Sequence, residues 1–172
     1  MQEIKQQTLA KPVEYAGSGL HSGKKVTLRL LPAPVNTGIV FVRTDLAGRP
    51  EIRSNPANVS STVKATTLST DGAEVFTIEH LMAALSMTGI DNCLIEMDSP
   101  EPPVADGSAG VFARLILQAG RRQQEAARKV YAVDRAFAVH QDERYICILP
   151  YDGYRISFTS INPHPLLGTQ YY

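Results

Sequence analysis

The sequence predicts an α+β fold in which two helices cover one face of a sheet, as a two-layer sandwich. Three observations lead to this prediction. Residues 25–31 and 39–45 have the pattern of strands and flank a proline-containing turn. From residue 78 onward the apolar residues take up the spacing of a helix. A second stretch with helical spacing follows at residues 108–119.

The strands are predicted from alternation and from turn residues. Residues 25–31 alternate apolar and polar side chains, which places Val26, Leu28 and Leu30 on one face of a half-buried strand. Residues 32–38 contain two prolines and end in a glycine, which is typical of a turn. The remaining predicted strands of this part of the chain span residues 39–45, 62–68, 74–77 and 92–98.

Two helices are predicted from the 3.6-residue period. In the first, apolar residues recur at positions 78, 81, 82 and 85, with Thr77 suited to the N-cap and Gly89 to the stop. The second spans residues 108–119 and is followed by Gly120. Its predicted apolar stripe consists of Val111, Leu115 and Ile116.

A boundary between two domains is expected near residue 125. Residues 121–129 are polar and charged, which makes them the best linker candidate in the chain. We therefore expect a first α+β domain at residues 1–125, carrying a Glu-His helix, and the start of a second domain at residues 126–172.

The second part of the chain has the pattern of a repeat. Residues 140–150 resemble residues 21–32, because both run from a histidine through a polar turn into an alternating strand that ends in Leu-Pro. A further strand is expected at residues 153–158. This similarity predicts the first hairpin of a second, similar domain, although two unrelated hairpins would give the same pattern.

Composition excludes several classes of protein. Of 172 residues, 17 are lysine or arginine and 17 are aspartate or glutamate, so the zero net charge disfavours a nucleic-acid binder. No apolar run is long enough for a transmembrane segment, and the N-terminus lacks the pattern of a signal peptide. Cys93 and Cys147 both lie in apolar, strand-like runs, which predicts two buried thiols in a reducing compartment.

The most chemically suggestive pair is Glu79-His80 at the start of the first predicted helix. The positive field of a helix N-terminus favours an ionised glutamate and a neutral imidazole, the states needed in a general base and a metal ligand. The positions that would complete a two-histidine zinc motif are Phe76 and Ala84, so this helix offers a metal at most one histidine. Taken as a dipeptide, the pair fits a surface or capping role as well as a metal site.

Four stretches of the chain, taken together, point to one family. They are residues 17–24 (GSGLHSGK), 64–68 (KATTL), 77–92 (TIEHLMAALSMTGIDN) and 100–109 (PEPPVADGSA). In this order and spacing they resemble the UDP-3-O-acyl-N-acetylglucosamine deacetylases, the zinc enzymes of the committed step of lipid A synthesis in Gram-negative bacteria. The resemblance implies a cytoplasmic enzyme that hydrolyses the acetamide of a UDP-linked, acylated amino sugar.

The resemblance also implies roles for individual residues. His80 would be one of three protein ligands to a catalytic Zn²⁺, with Fe²⁺ equally compatible with a histidine ligand. Glu79 would be the general base that takes a proton from the attacking water. His21 and Asp106 match positions beside the active site and would orient other groups there. Both also have simpler interpretations, His21 in a tight turn and Asp106 in a turn that leads to an N-cap at Ser108.

The second part of the chain resembles the family less closely. Arg144 matches a basic position that faces the nucleotide diphosphate, although an exposed arginine at the start of a strand would look the same. His164 and Pro165 match a His-Pro pair of the family, but Ile161 and Asn162 stand where an acidic-aromatic pair is common.

The chain lacks a motif on which the family's chemistry depends. The other zinc ligands lie on a His-x-x-x-Asp helix of the second domain, and this sequence contains no such motif. We therefore expect the chain alone to be inactive and to need a missing C-terminal domain, in cis or in trans. A non-catalytic binding module with the same scaffold and one half of a split enzyme are the alternatives.

Overall fold

A computed structural model describes residues 4–172, and it is an α+β structure as predicted. The chain divides into two compact units. The first ends at Arg128, and the second runs from Lys129 to Tyr172. Neither helix within residues 4–172 is long and apolar enough to cross a membrane.

The described residues of the first unit form ten strands and two helices. They are β1 (Lys5–Leu9), β2 (Val13–Ser18), β3 (Lys25–Pro32), β4 (Ile39–Arg43), β5 (Glu51–Arg53), β6 (Val59–Ser61), β7 (Thr67–Thr70), β8 (Ala73–Phe76), α1 (Glu79–Met87), β9 (Cys93–Met97), α2 (Gly110–Ala119) and β10 (Arg121–Ala127). A short 3-10 turn, Pro56–Asn58, precedes β6.

A five-stranded sheet in the order β2-β3-β9-β4-β5 forms the centre of the first unit. Only the β4–β9 pair is parallel among its described strands. The alternation predicted for β3 is confirmed, because Val26, Leu28 and Leu30 are at most 2% exposed. These side chains form one core with buried residues of β4, β9 and both helices, which is the predicted arrangement of helices on one face of a sheet.

The helices begin later and pack differently from the sequence prediction. α1 ends as predicted, because Gly89 has φ 74° and the amides of Gly89 and Ile90 donate to the carbonyls of Ser86 and Leu85. These two hydrogen bonds form a Schellman motif. In α2 the predicted stripe is partly wrong. Phe112, Ala113, Ile116 and Ala119 are buried, whereas Val111 and Leu115 are only half-buried.

A three-stranded sheet, β6-β7-β8, leads into α1. The strand predicted at residues 62–68 is wrong in position, because residues 62–66 form a loop and β7 starts at Thr67. Lys64 in this loop has φ 63°, a left-handed conformation that interrupts the extended backbone a strand needs.

Residues 121–127, predicted as a linker, are strand β10, which pairs antiparallel with β1. This two-stranded sheet is held by polar side chains. Asn92, which is 1% exposed, donates from Nδ2 to Gln6 Oε1 and Gln124 Oε1, both at 2.8 Å, and accepts the Gly38 amide at 2.7 Å. The linker prediction failed because it treated polarity as a sign of irregular chain.

The second unit consists of two hairpins. They are formed by β11 (Phe137–Gln141) with β12 (Arg144–Ile148) and by β13 (Thr159–Ile161) with β14 (Thr169–Tyr171). Strand β12 lies where the sequence predicts an alternating strand, but its partner is β11 and not the strand predicted after the Gly153 turn. The strand predicted at residues 153–158 is wrong, since extended pairing starts only at Thr159. Cys147 is also exposed, contrary to prediction, as are the other residues of β12.

The first hairpin of this unit presents an apolar face. Register pairs Phe137 with Ile148 and Val139 with Ile146, so these four side chains lie on the same side. Between 49% and 67% of each is exposed. We call these four residues the apolar hairpin face. Their exposure is unusual, because a half-buried strand normally places its apolar side against a core.

Candidate active site

Glu79 and His80 form the first turn of α1, directly after the three-stranded sheet. Glu79 is exposed and His80 is half-buried. A carboxylate oxygen of Glu79 accepts a hydrogen bond from the backbone amide of Thr66, in the loop before β7. Partial burial raises the pKa of Glu79, but hydrogen bonds from its own backbone amide and from Thr66, together with the charge of nearby His80, outweigh burial and lower that pKa. Glu79 is therefore an ionised carboxylate at neutral pH.

The backbone just before this pair is strained. Thr77 is 8% exposed and has φ 57°, a left-handed conformation that is rare for a β-branched residue. The predicted N-cap at Thr77 is wrong. Ile78 occupies the cap position, and no side chain caps the helix. The Thr77 hydroxyl lies instead near the carboxylate of Glu101, without a hydrogen bond of ordinary geometry.

His21 lies in the tight turn between β2 and β3. The turn is closed by the Gly19 amide, which donates to the Lys24 carbonyl at 3.0 Å, and by the Gly23 amide, which donates to the Gly19 carbonyl at 3.2 Å. The His21 side chain is exposed. Its backbone amide donates to Glu101 Oε1 at 3.0 Å. The tight-turn interpretation is therefore confirmed, and a role of the imidazole in catalysis stays a prediction.

Glu101 is the residue of this region that the sequence reasoning missed. Its side chain is fully buried, at 0% exposure. Oε2 accepts the backbone amides of Ser22 at 2.8 Å and of His21 at 3.2 Å. Burial raises the pKa of Glu101, but these hydrogen bonds and the nearby hydroxyls of Ser22 and Thr77 more than compensate and lower the pKa. No periodic pattern identifies a buried acid in a proline-rich loop, so the sequence carried no signal for it.

Asp106 lies on the same loop but is exposed. Its Oδ1 accepts hydrogen bonds from the backbone amide of Ser108 at 3.0 Å and from the Ser108 hydroxyl at 2.8 Å. Those two hydrogen bonds lower the pKa of Asp106. Ser108 Oγ in turn accepts the Gly110 amide at 3.1 Å, but the cap position of α2 is Ala109 and not Ser108. Asp106 therefore stabilises a turn at the start of α2.

The loop that carries Glu101 and Asp106 brings the separate motifs together. The Phe76 amide, at the end of β8, donates to the Pro100 carbonyl at 3.0 Å. The Val104 amide donates to the carbonyl of Ser18, at the end of β2, at 2.9 Å. The loop thus joins the strand before the His21 turn to the strand before Glu79 and His80.

The remaining candidate residues lie in the second unit. Arg144 is exposed and pairs in register with Gln141 at the turn end of its hairpin. His164 is exposed, and its Nδ1 accepts the Leu166 amide at 3.2 Å. Both positions are compatible with the simpler interpretations, an arginine at the start of a strand and a histidine in a turn.

The described residues fit part of a metal site. Among residues 4–172, no three histidine, cysteine, aspartate or glutamate side chains converge so as to hold a metal ion. The half-buried imidazole of His80 is a ligand type that zinc and iron(II) accept, and the neighbouring Glu79 is the kind of base such sites use. A tight site would need further ligands.

Comparison with known proteins gives the family. The family model for UDP-3-O-acyl N-acetylglycosamine deacetylase matches residues 6–172. The chain belongs to this family. It is 45% identical over 163 residues to the UDP-3-O-acyl-N-acetylglucosamine deacetylase of Marinobacter nauticus, covering 95% of this chain and 54% of that protein. The deacetylases of Hahella chejuensis and Chromohalobacter salexigens are 43% and 45% identical, over 95% and 97% of this chain.

The chain therefore spans about half the length of these curated relatives, 54% in two of them and 55% in the third. All four stretches that carried the sequence resemblance fall within the matched range.

Proposed function

We propose that this chain contributes one part of the active site of a UDP-3-O-acyl-N-acetylglucosamine deacetylase of lipid A biosynthesis. The substrate is a UDP-linked, acylated amino sugar, and the reaction is hydrolysis of its acetamide in the bacterial cytoplasm. The observation that carries the proposal is the start of α1, where an ionised Glu79, fixed by the Thr66 amide, stands next to the half-buried imidazole of His80.

Each residue has a proposed task. Glu79 accepts a proton from the attacking water, because its carboxylate is ionised and one oxygen is anchored while the side chain stays accessible. His80 binds Zn²⁺ or Fe²⁺, which when bound would polarise the acetamide carbonyl. His21 and Asp106 orient groups at the site, and Arg144 binds the nucleotide diphosphate.

We propose that the remaining metal ligands come from residues outside the 172-residue chain. Residues 4–172 offer His80 and Glu79 but no convergent set of three ligands. The apolar hairpin face supports a partner of this kind, because four large apolar side chains on one face of a hairpin are suited to packing against further protein. That partner is the missing C-terminal domain, in cis or in trans.

Two assays test whether this chain supplies only part of the active site. The purified chain in Zn²⁺-containing buffer is expected to give no robust deacetylation, and robust turnover would overturn the proposal. The chain fused to the portion of the Marinobacter nauticus relative that it does not cover is expected to be active. In that fusion Glu79→Gln should lower kcat by about 10²–10⁴-fold. The matched control is Glu74→Gln, which changes an exposed carboxylate on β8.

A further pair of variants tests the role of the apolar hairpin face. Ile146→Glu places a charge on that face, whereas Tyr145→Glu places one on the opposite face of the same strand. Ile146→Glu should lower the yield of active fusion protein far more than Tyr145→Glu, because only the first buries an unpaired charge at the proposed contact. Equal effects of the two variants would show that this face does not pack against the added domain and would remove its support for the proposal.

A further inference from the structure

We propose that Glu101 is a positioning residue, whose buried carboxylate holds the His21 turn and the backbone before Glu79 and His80 in one fixed arrangement. The structural role of Glu101 does not depend on the proposed function. Its consequence, that His21 is oriented relative to Glu79 and His80, rests on the proposed function.

The first observation is the set of donors around this carboxylate. Both oxygens of Glu101 accept backbone amides of the His21 turn, at 2.8 to 3.2 Å, although the side chain has no solvent exposure. A buried carboxylate is costly unless donors surround it. Backbone amides are fixed by the chain, so they satisfy the charge only while the turn keeps its present position. Displacing the turn would therefore leave a buried charge without its donors.

The second observation is that the same carboxylate reaches the segment before α1. The Phe76 amide, at the end of β8, donates to the carbonyl of Pro100, the residue directly before Glu101, at 3.0 Å. The Thr77 hydroxyl, which follows, lies near the Glu101 carboxylate without a hydrogen bond of ordinary geometry, and Thr77 has φ 57°. A β-branched residue keeps such a conformation only where the surrounding structure imposes it. The carboxylate of Glu101 is thus bonded to the turn, while the backbone directly before Glu101 is bonded to the segment before α1.

The third observation is the close approach at Gly19. A Cβ atom placed on Gly19 would lie 2.3 Å from Glu101 Oε2 and 2.5 Å from Ser22 Oγ. Only a residue without a side chain lets the turn come this close to the carboxylate. The glycine of the Gly-Leu-His-Ser-Gly motif and the glutamate of the proline-rich loop are therefore two parts of one contact, although they are about 80 residues apart in the chain.

The experiment uses amide hydrogen exchange and ¹H–¹⁵N spectra of the 172-residue chain without metal or substrate. Glu101→Gln keeps the shape of the side chain but turns one acceptor oxygen into a donor. It should speed exchange of the His21 and Ser22 amides about tenfold or more, because hydrogen bonds to a charged acceptor are lost. The control is Glu74→Gln, which should leave both amides unchanged.

A second variant tests the coupling from the other side and remains informative if Glu101→Gln does not fold. Thr77→Val replaces the hydroxyl by a methyl group of similar size. It is expected to shift the His21 and Ser22 amide resonances, although both lie in a different segment. Unchanged resonances would overturn the proposal, because the carboxylate would then stabilise the turn alone.

A merely structural role predicts another result. If Glu101 contributed only to stability, Glu101→Gln would speed exchange uniformly, including at core amides such as those of Leu28 and Ile95, and that outcome would overturn the inference. Because no metal or substrate is used, this result is independent of the deacetylation assays. If the fusion showed no deacetylation while Glu101→Gln sped exchange selectively at His21 and Ser22, the result would count against the proposed function. The role of Glu101 would still stand.

Discussion

Asn92 is expected to be the most important polar side chain for the stability of the first unit. It is 1% exposed and connects three parts of the chain, through Gln6 on β1, Gln124 on β10 and the Gly38 amide before β4. Its replacement, Asn92→Ala, removes all three side-chain hydrogen bonds and leaves their partners in place.

The expected cost follows from what each partner retains. Gln6 Oε1 still accepts the Asn36 amide at 2.9 Å, so it is not left unpaired. The hydrogen bonds described for Gln124 Oε1 and for the Gly38 amide both go to Asn92. Two partly buried groups thus lose their partners, at about 1–3 kcal/mol each. Because Gln124 and Gly38 are both only half-buried, we expect a loss of about 2–4 kcal/mol in the free energy of unfolding.

The measurement is urea denaturation followed by far-ultraviolet circular dichroism. Asn58→Ala is the matched control, because that side chain makes one exposed hydrogen bond, 2.9 Å from Nδ2 to the Arg53 carbonyl. The control should lose less than about 1 kcal/mol. If Asn92→Ala cost no more than the control, the reasoning that this polar network holds β1 and β10 in place would be refuted.

Two further predictions concern packing and thiol reactivity. Phe112→Ala should lower the free energy of unfolding by about 3–5 kcal/mol, because the ring is fully buried and packs edge-on against Tyr15, with 6.1 Å between the two ring centroids. Leu117→Ala on the same helix should change it by less than about 0.5 kcal/mol, because 60% of Leu117 is exposed, and equal losses would contradict the described packing of α2. At pH 8, Ellman's reagent should modify Cys147 promptly and Cys93 only after denaturation, because burial raises the pKa of Cys93 to about 12 and keeps it protonated. Prompt modification that survives Cys147→Ser would show that Cys93 is accessible.

Hydrophobic spacing predicted the buried face of β3 and the end of α1, but only part of the buried face of α2. β3 has its predicted buried face, and α1 ends at Gly89 as expected. β1 and β10 escaped prediction because most of their side chains are polar or charged and a network of side-chain amides links them. Such pairing depends on the side chain of Asn92, far away in the chain, and no local pattern encodes it.

The sequence names candidate site residues but not the contacts between the segments that carry them. The sequence identified Glu79, His80, His21 and Asp106 through motifs, and the motifs all lie in the range matched by the family. The family resemblance placed them at one site, but the sequence did not show the contacts made by Glu101, an acid between prolines that looks like any exposed loop residue. A buried charge becomes recognisable only when its donors are brought together by folding.

The failure at Thr77 is informative about the site. Capping preferences predicted that its hydroxyl would serve the first turn of α1, yet the helix starts without a side-chain cap and Thr77 takes a left-handed backbone. Both features cost stability, since a missing cap costs about 1 kcal/mol and a strained backbone angle about 1–3 kcal/mol. Local rules are expected to fail in this way where other requirements override them. The segment lacks a good helix start, but its Phe76 amide is bonded to the Pro100 carbonyl, next to Glu101 and three residues before Glu79. Strain and a missing cap beside such a contact are the pattern expected of a segment that serves a site.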